Sequence, residues 1–160
     1  RPCRAGGRHH QRIQALVRRM PEVEIGPGLA GPTMALVDPV RFDQAVTNLL
    51  SNARTAAGQR RVLLDAQRMD NAVELHVCDD GPGIAPDLRD KLFQPFASRS
   101  PGGTGLGLAI VARIMAAHGG VAELTERAPW RTCFTLRFPS ISRTTATAST
   151  ASIASTASST

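Results

Sequence analysis

This chain has no tyrosine, one tryptophan and five phenylalanines among 160 residues, which leaves its core to Leu, Ile, Val, Ala and a few Phe. Its three cysteines, Cys3, Cys78 and Cys133, contain no CxxC pair. Neither a disulfide framework nor a zinc site is expected from them, and a reducing, cytoplasmic setting is the simpler one. No apolar run approaches the ~18–20 residues that span a bilayer, and no signal-peptide pattern opens the chain. Membrane contact by this segment is therefore not expected. The first residue is Arg rather than Met, as in a piece of a longer protein whose other part can carry a tether. A Walker-type phosphate loop is excluded, because no G-x-x-x-x-G-K-S/T run occurs.

What is present is basic and rich in Gly and Pro. Nineteen Lys and Arg against thirteen Asp and Glu give a formal charge of +6. Such a balance suits nucleic acid, an acidic partner or a polyphosphate. The Arg residues are scattered, however, and their densest group (Arg1, Arg4, Arg8, Arg12, Arg18, Arg19) has no interleaved stacking aromatics. A nucleic-acid partner is not expected.

Three segments are predicted. Residues 1–20 form a basic helical linker, with Ile13, Leu16, Val17 and Met20 at helical spacing and Pro21 as the stop. Residues 21–139 form the compact domain. Residues 140–160, almost pure Ser, Thr and Ala, lack the means to build a core and are expected to be disordered. Within the domain, Val23 and Ile25 alternate like a short strand, and Met34 to Val37 suggest a second. Asp38 is a predicted N-cap with Pro39 at the first helical position. The helix over 39–57 buries Phe42, Val46, Leu49, Leu50 and Ala53 and ends at Gly58. Strands follow over 61–67 and 72–78, a helix over 104–118, and strands over 121–126 and 132–138.

The chemistry concentrates between residues 48 and 108. Asn48 and Asn52 lie four apart, on one side of the first long helix. A buried Asn satisfying backbone groups explains one such amide, but two on one face of an otherwise apolar helix favour a ligand-binding role, because each buried amide needs partners. Asp79 ends a strand, where a carboxylate can accept a hydrogen bond from an exocyclic amine. Gly81 and Gly83 strip the following turn so that a flat base can lie against backbone, with Ile84 behind. Gly103, Thr104, Gly105, Leu106, Gly107 and Leu108 lead into the next helix, whose free amides and dipole suit phosphate oxygens. The spacing is G-x-G-x-G, not the dinucleotide G-x-G-x-x-G. Asn52 can offer an amide oxygen to a hard cation such as Mg²⁺. Phe93 and Phe96 around Pro95 fit either a hinge for a mobile loop over 97–102 or two core aromatics.

In order, these residues resemble the ATP-binding catalytic domain of sensor histidine kinases, within the gyrase, HSP90 and MutL-like (GHKL) ATPase superfamily. Asn48-Leu49-Leu50-Ser51-Asn52-Ala53 is similar to the N box and Asp79-Asp80-Gly81-Pro82-Gly83-Ile84 to the first glycine box. Phe93-Gln94-Pro95-Phe96 is similar to the F box and Gly103-Thr104-Gly105-Leu106-Gly107-Leu108 to the second glycine box. The likeness covers residues 22–139. Its short lid and Asn-Ala-Arg-Thr-Ala-Ala run are most like the nitrogen- and flagellar-regulation branch. The resemblance implies an α/β fold, the two-layer Bergerat sandwich, with a mixed sheet covered on one face by about three helices. It implies ATP and Mg²⁺ as cofactors, the metal on Asn52 and adenine on Asp79. Phe96, Arg99 and the second glycine box would line the site. Superfamily members that hydrolyse ATP with water carry Glu where Asn48 stands, and an amide cannot take a proton. Asn48 and Asn52 thus imply phosphoryl transfer to a protein side chain.

Three departures stand out. Ser100 occupies a lid position where relatives often carry Lys, leaving Arg99 as the nearby cation. Pro129-Trp130-Arg131-Thr132 replaces a Gly-x-Gly-Thr turn. His9 and His10 lack the context of a phosphoacceptor helix. The expected partners are therefore a separate dimerisation and phosphoacceptor domain and, through it, a response regulator. Two other readings of the same motifs stay open: a nucleotide-binding regulatory module without kinase activity, and an anti-sigma-type serine kinase.

Overall fold

The computed structural model describes residues 5–30, 37–97 and 104–139. Helix α1 (Ala5–Arg18) leads to strand β1 (Val23–Ile25) and a 3-10 turn at Pro27–Leu29. Helix α2 (Pro39–Ala57) is followed by β2 (Val62–Arg68) and β3 (Ala72–Asp79). A second 3-10 turn (Arg89–Lys91), helix α3 (Gly107–Ala117), β4 (Val121–Thr125) and β5 (Thr132–Pro139) complete the order. The strand predicted over 34–37 falls outside the described residues except for Val37.

The five strands lie in the order β1-β2-β3-β5-β4, parallel between β1 and β2 and antiparallel elsewhere. This is the mixed sheet of the expected sandwich. Its alternation decides the layering, because neighbouring residues of a strand point to opposite faces. Leu64, Leu75, Val77, Phe134, Leu136 and Phe138 turn toward the helices and are buried with Phe42, Val46, Leu49, Leu50, Val111 and Met115. Burial of each such side chain contributes about 1.5–3 kcal/mol. Phe42 meets Phe138 at 5.8 Å between ring centroids.

Asp38 caps α2 as predicted, its Oδ1 accepting from the Val40 and Arg41 amides at 2.9 and 3.0 Å. Gly58 at φ +62° ends the helix. Helix α3 begins three residues later than the predicted 104, because Gly105 stands at φ +70° and breaks the helical path. Helix α1, placed before the domain by the sequence reading, buries Ile13 in the shared core and pairs Arg12 with Asp43 at 2.6 Å.

The cysteine expectation needs correction. Cys78 and Cys133 lie directly opposite each other on β3 and β5, with Cα atoms 4.0 Å apart and their sulfurs bonded. The pairing arises from strand register across 55 residues, which no local spacing reveals.

Candidate nucleotide-binding site

Asp79 is the last residue of β3 and is 1% exposed. Its side chain shares the helix-facing side of the sheet with Val77 and Leu75, where the surroundings are apolar. Gly81 donates its N–H to Asp79 Oδ1 at 2.9 Å. That is the only hydrogen bond to this carboxylate among the described residues, and no cation pairs with it. Burial, chiefly, and the charge of Asp80 raise its pKa, while the Gly81 N–H opposes them. A desolvated carboxylate with acceptor capacity in reserve is primed to receive a donor.

The turn after Asp79 is shaped by glycine. A Cβ on Gly81 would come within 2.7 Å of the Ala56 carbonyl oxygen, and Gly83 stands at φ +84°. Ile84 packs partly buried against the core. The backbone of Asp80 is held at both ends: its N–H donates to the Arg61 carbonyl at 3.1 Å and its carbonyl accepts from Arg60 Nη1 at 3.2 Å.

Across from this turn, α2 and the start of α3 come together. Asn48 Nδ2 donates to the Gly107 carbonyl at 3.4 Å. An added Cβ on Gly107 would lie 4.0 Å from Asn52 Nδ2, so the bare glycine leaves room beside that amide. Asn48 is half-buried and Asn52 is exposed. The first amide is partly enclosed, and the second is open to solvent. Leu106 holds the cap position of α3 and has no side-chain acceptor. Thr104 Oγ1 accepts from the Leu106 N–H at 3.4 Å, Gly105 bends the loop, and Leu108 is buried beneath it.

The aromatic pair divides its roles. Phe93 packs edge-on to Phe134, with centroids 6.0 Å apart, and belongs to the core. Phe96 is 72% exposed at φ +62°, and its N–H donates to the Gly105 carbonyl at 2.8 Å. That bond joins the chain on the two sides of residues 98–103. Arg99 and Gly103 lie outside the described residues. One neighbour was missed: Thr132, 5% exposed, sits directly opposite Asp79 on β5. Only the register, not any spacing in the sequence, brings it there.

A mixed sheet under a helical layer, with a buried carboxylate at one strand end and an uncapped helix start in the glycine-rich segment, is an α/β sandwich of the kind expected of a nucleotide-binding domain. The chain belongs to the histidine kinase-, DNA gyrase B- and HSP90-like ATPase family, whose model matches residues 37–142. The nitrogen regulation protein NtrY of Azorhizobium caulinodans is 39% identical over 101 residues, 55% of this chain and 13% of that protein. The sensory histidine kinase/phosphatase NtrB of Rhodobacter capsulatus is 38% identical over 122 residues, 68% of this chain and 34% of that protein. The chain thus spans about a third or less of these relatives' lengths. Among solved structures, the mycobacterial sensor histidine kinase MprB superposes with a TM-score of 0.68 at 29% identity, covering 82% of this chain and 93% of that one. Full-length ShkA in complex with AMPPNP gives a TM-score of 0.63 at 31% identity, over 88% of this chain and 31% of that one. Among the described residues, no helix is long and apolar enough to cross a membrane.

Proposed function

We propose that this domain binds Mg·ATP and donates its γ-phosphoryl group to a histidine on a separate dimerisation and phosphoacceptor segment, from which a response regulator is served. The observation that carries this reading is the buried Asp79 carboxylate, whose one hydrogen bond leaves acceptor capacity for an exocyclic amine. Adenine presents that amine, so Asp79 would orient the base against Gly81 and Gly83. The first turn of α3 would then receive the phosphates, because its amides and dipole favour negative charge. The AMPPNP bound to ShkA supports the same ligand class.

The site suits Mg²⁺ on the evidence of its donors. Asn52 offers a neutral amide oxygen, and no cluster of three or more acids, His or Cys forms a metal cage among the described residues. Mg²⁺ prefers this arrangement, with one or two protein oxygens and the remainder from phosphate and water. Bound there, it would neutralise phosphate charge. Asn48 neither accepts nor relays a proton and donates instead to Gly107. With no general base for water at that position, the residues position and shield the phosphates.

The test is phosphoryl transfer from labelled ATP to the acceptor domain of a related kinase supplied in trans, with calorimetry of ATP binding alongside. An acid-labile phosphoprotein is expected. ATP binding without transfer would favour a regulatory module, and an acid-stable product a serine kinase.

A further inference from the structure

The turn between β4 and β5, where Pro129-Trp130-Arg131 interrupts the family's glycine pattern, does more than close a hairpin. It folds back toward β2. Trp130 lies over the Arg61 guanidinium, 4.8 Å from cation to ring centroid. The other side of that guanidinium is held by Glu24, through bonds of 2.7 and 2.9 Å. The backbones of the same two segments grip the end of β3. Arg131 donates its N–H to the Asp79 carbonyl at 3.2 Å, and Arg61 accepts from the Asp80 N–H at 3.1 Å. The peptide between Asp79 and Asp80 is therefore bonded on both flanks, and the Arg61–Trp130 contact ties the flanks together. A cleft of about 810 Å³ is lined by both Trp130 and Ile84, so the turn also borders the glycine loop.

We propose that Trp130 and Arg61 form a clasp that fixes Asp79 for base recognition, acting as positioning residues outside the ligand's reach. This rests on the reading of Asp79 as the acceptor of the adenine amine. A clasp of this kind affects only the ligand that uses the acceptor. Its removal lowers affinity for ATP and leaves unchanged the affinity for purine riboside triphosphate, which lacks the 6-amino group.

The experiment compares the two ligands by calorimetry in the whole chain, Trp130→Ala, Arg61→Gln and the double variant. A cation–π contact at an exposed site corresponds to about a twofold to fivefold change in affinity. Each single variant is expected to lose about that much for ATP and nothing for the analogue. The double variant should lose no more than either single one, and Trp130→Phe should regain part of the loss. Equal losses for both ligands would show mere packing and overturn the clasp, as would unchanged ATP affinity in Arg61→Gln, whose exposed side chain can be replaced without unfolding the domain. Wild-type protein that binds both ligands equally would instead overturn the role given to Asp79.

Discussion

The two faces of the sheet each bury carboxylates, and they treat them differently. On the helix-free face, Asp65 is 5% exposed and its acceptors are filled. Arg127 donates to it at 2.8 Å, and the Gly28 and Ala66 amides at 3.0 and 2.9 Å. Glu74 on the same face is held by Arg137 at 2.7 Å. On the helix-covered face, Asp79 has one amide donor and no cation. A buried acid with both oxygens engaged by protein donors serves the fold, whereas one with a single donor has acceptor capacity to offer a ligand. The cost of the second kind shows in the raised pKa of Asp79.

This contrast can be broken most sharply at Asp65. Asp65→Ala would strand Arg127, a third exposed, and the Gly28 and Ala66 amides, and is expected to lower unfolding free energy by about 2–3 kcal/mol, measured by urea denaturation. ATP affinity in the fraction that remains folded should stay near that of wild type. Asp79→Ala should do the reverse, weakening ATP by about 10- to 100-fold in calorimetry with no loss of melting temperature. If the two variants behave alike, the distinction between the faces fails.

Acidity sharpens the same comparison. Because the folded-state pKa of Asp79 is raised, its linkage favours the apo fold below the ordinary carboxylate pKa, and that stability is lost as pH rises through the folded value. At neutral pH Asp79 therefore costs stability, and Asp79→Asn should melt higher. With Asp79 as the proposed acceptor of the adenine amine, its ionised form is the one that binds, so wild-type ATP affinity should fall more steeply on acidification than that of the Asn variant. His76 gives the opposite-face control. Burial, then the charge of Arg127, lowers its pKa, while Glu74 and Asp65 push it up. Its Nε2 is buried without a hydrogen-bond partner and its Nδ1 meets Thr135 Oγ1 at 2.8 Å. The fold thus holds it neutral, with stability intact above the unfolded pKa of about 6.5 and lost as pH falls from there through the folded value. Thermal melts of His76→Gln should show a shallower decline over that window. The smallest effect is expected at the exposed cap: Asp38→Ala should lower the melting temperature by about 2–5 °C and leave ATP binding alone.

Much of this was legible in the sequence because the signals were local. Asp38, Pro39 and Gly58 bound α2 through cap chemistry contained in a few residues, and the alternation of β3 led straight to Asp79. The start of α3 was misplaced because the positive φ of Gly105 is a property of the loop's path, not of its composition. The Asn48 bond to the Gly107 carbonyl depends on where α3 begins, which no local signal fixes. The Cys78–Cys133 bond, the Thr132 neighbour and the Arg127–Asp65 pair all join residues more than fifty positions apart. Strand register creates the first two, and the path of the β4–β5 turn the third.

The opposition of Asp79 and Thr132 also bears on how the domain assembles. The β2–β3 hairpin is local and can form early, but β5 reaches β3 only after the lid segment, α3 and β4 have been threaded between them. Closing so long a loop costs entropy that only the finished core repays. Asp79 and Thr132 are brought together only by that long-range closure. ATP at a hundred times its dissociation constant would consequently stabilise the entire domain, by about 2.7 kcal/mol.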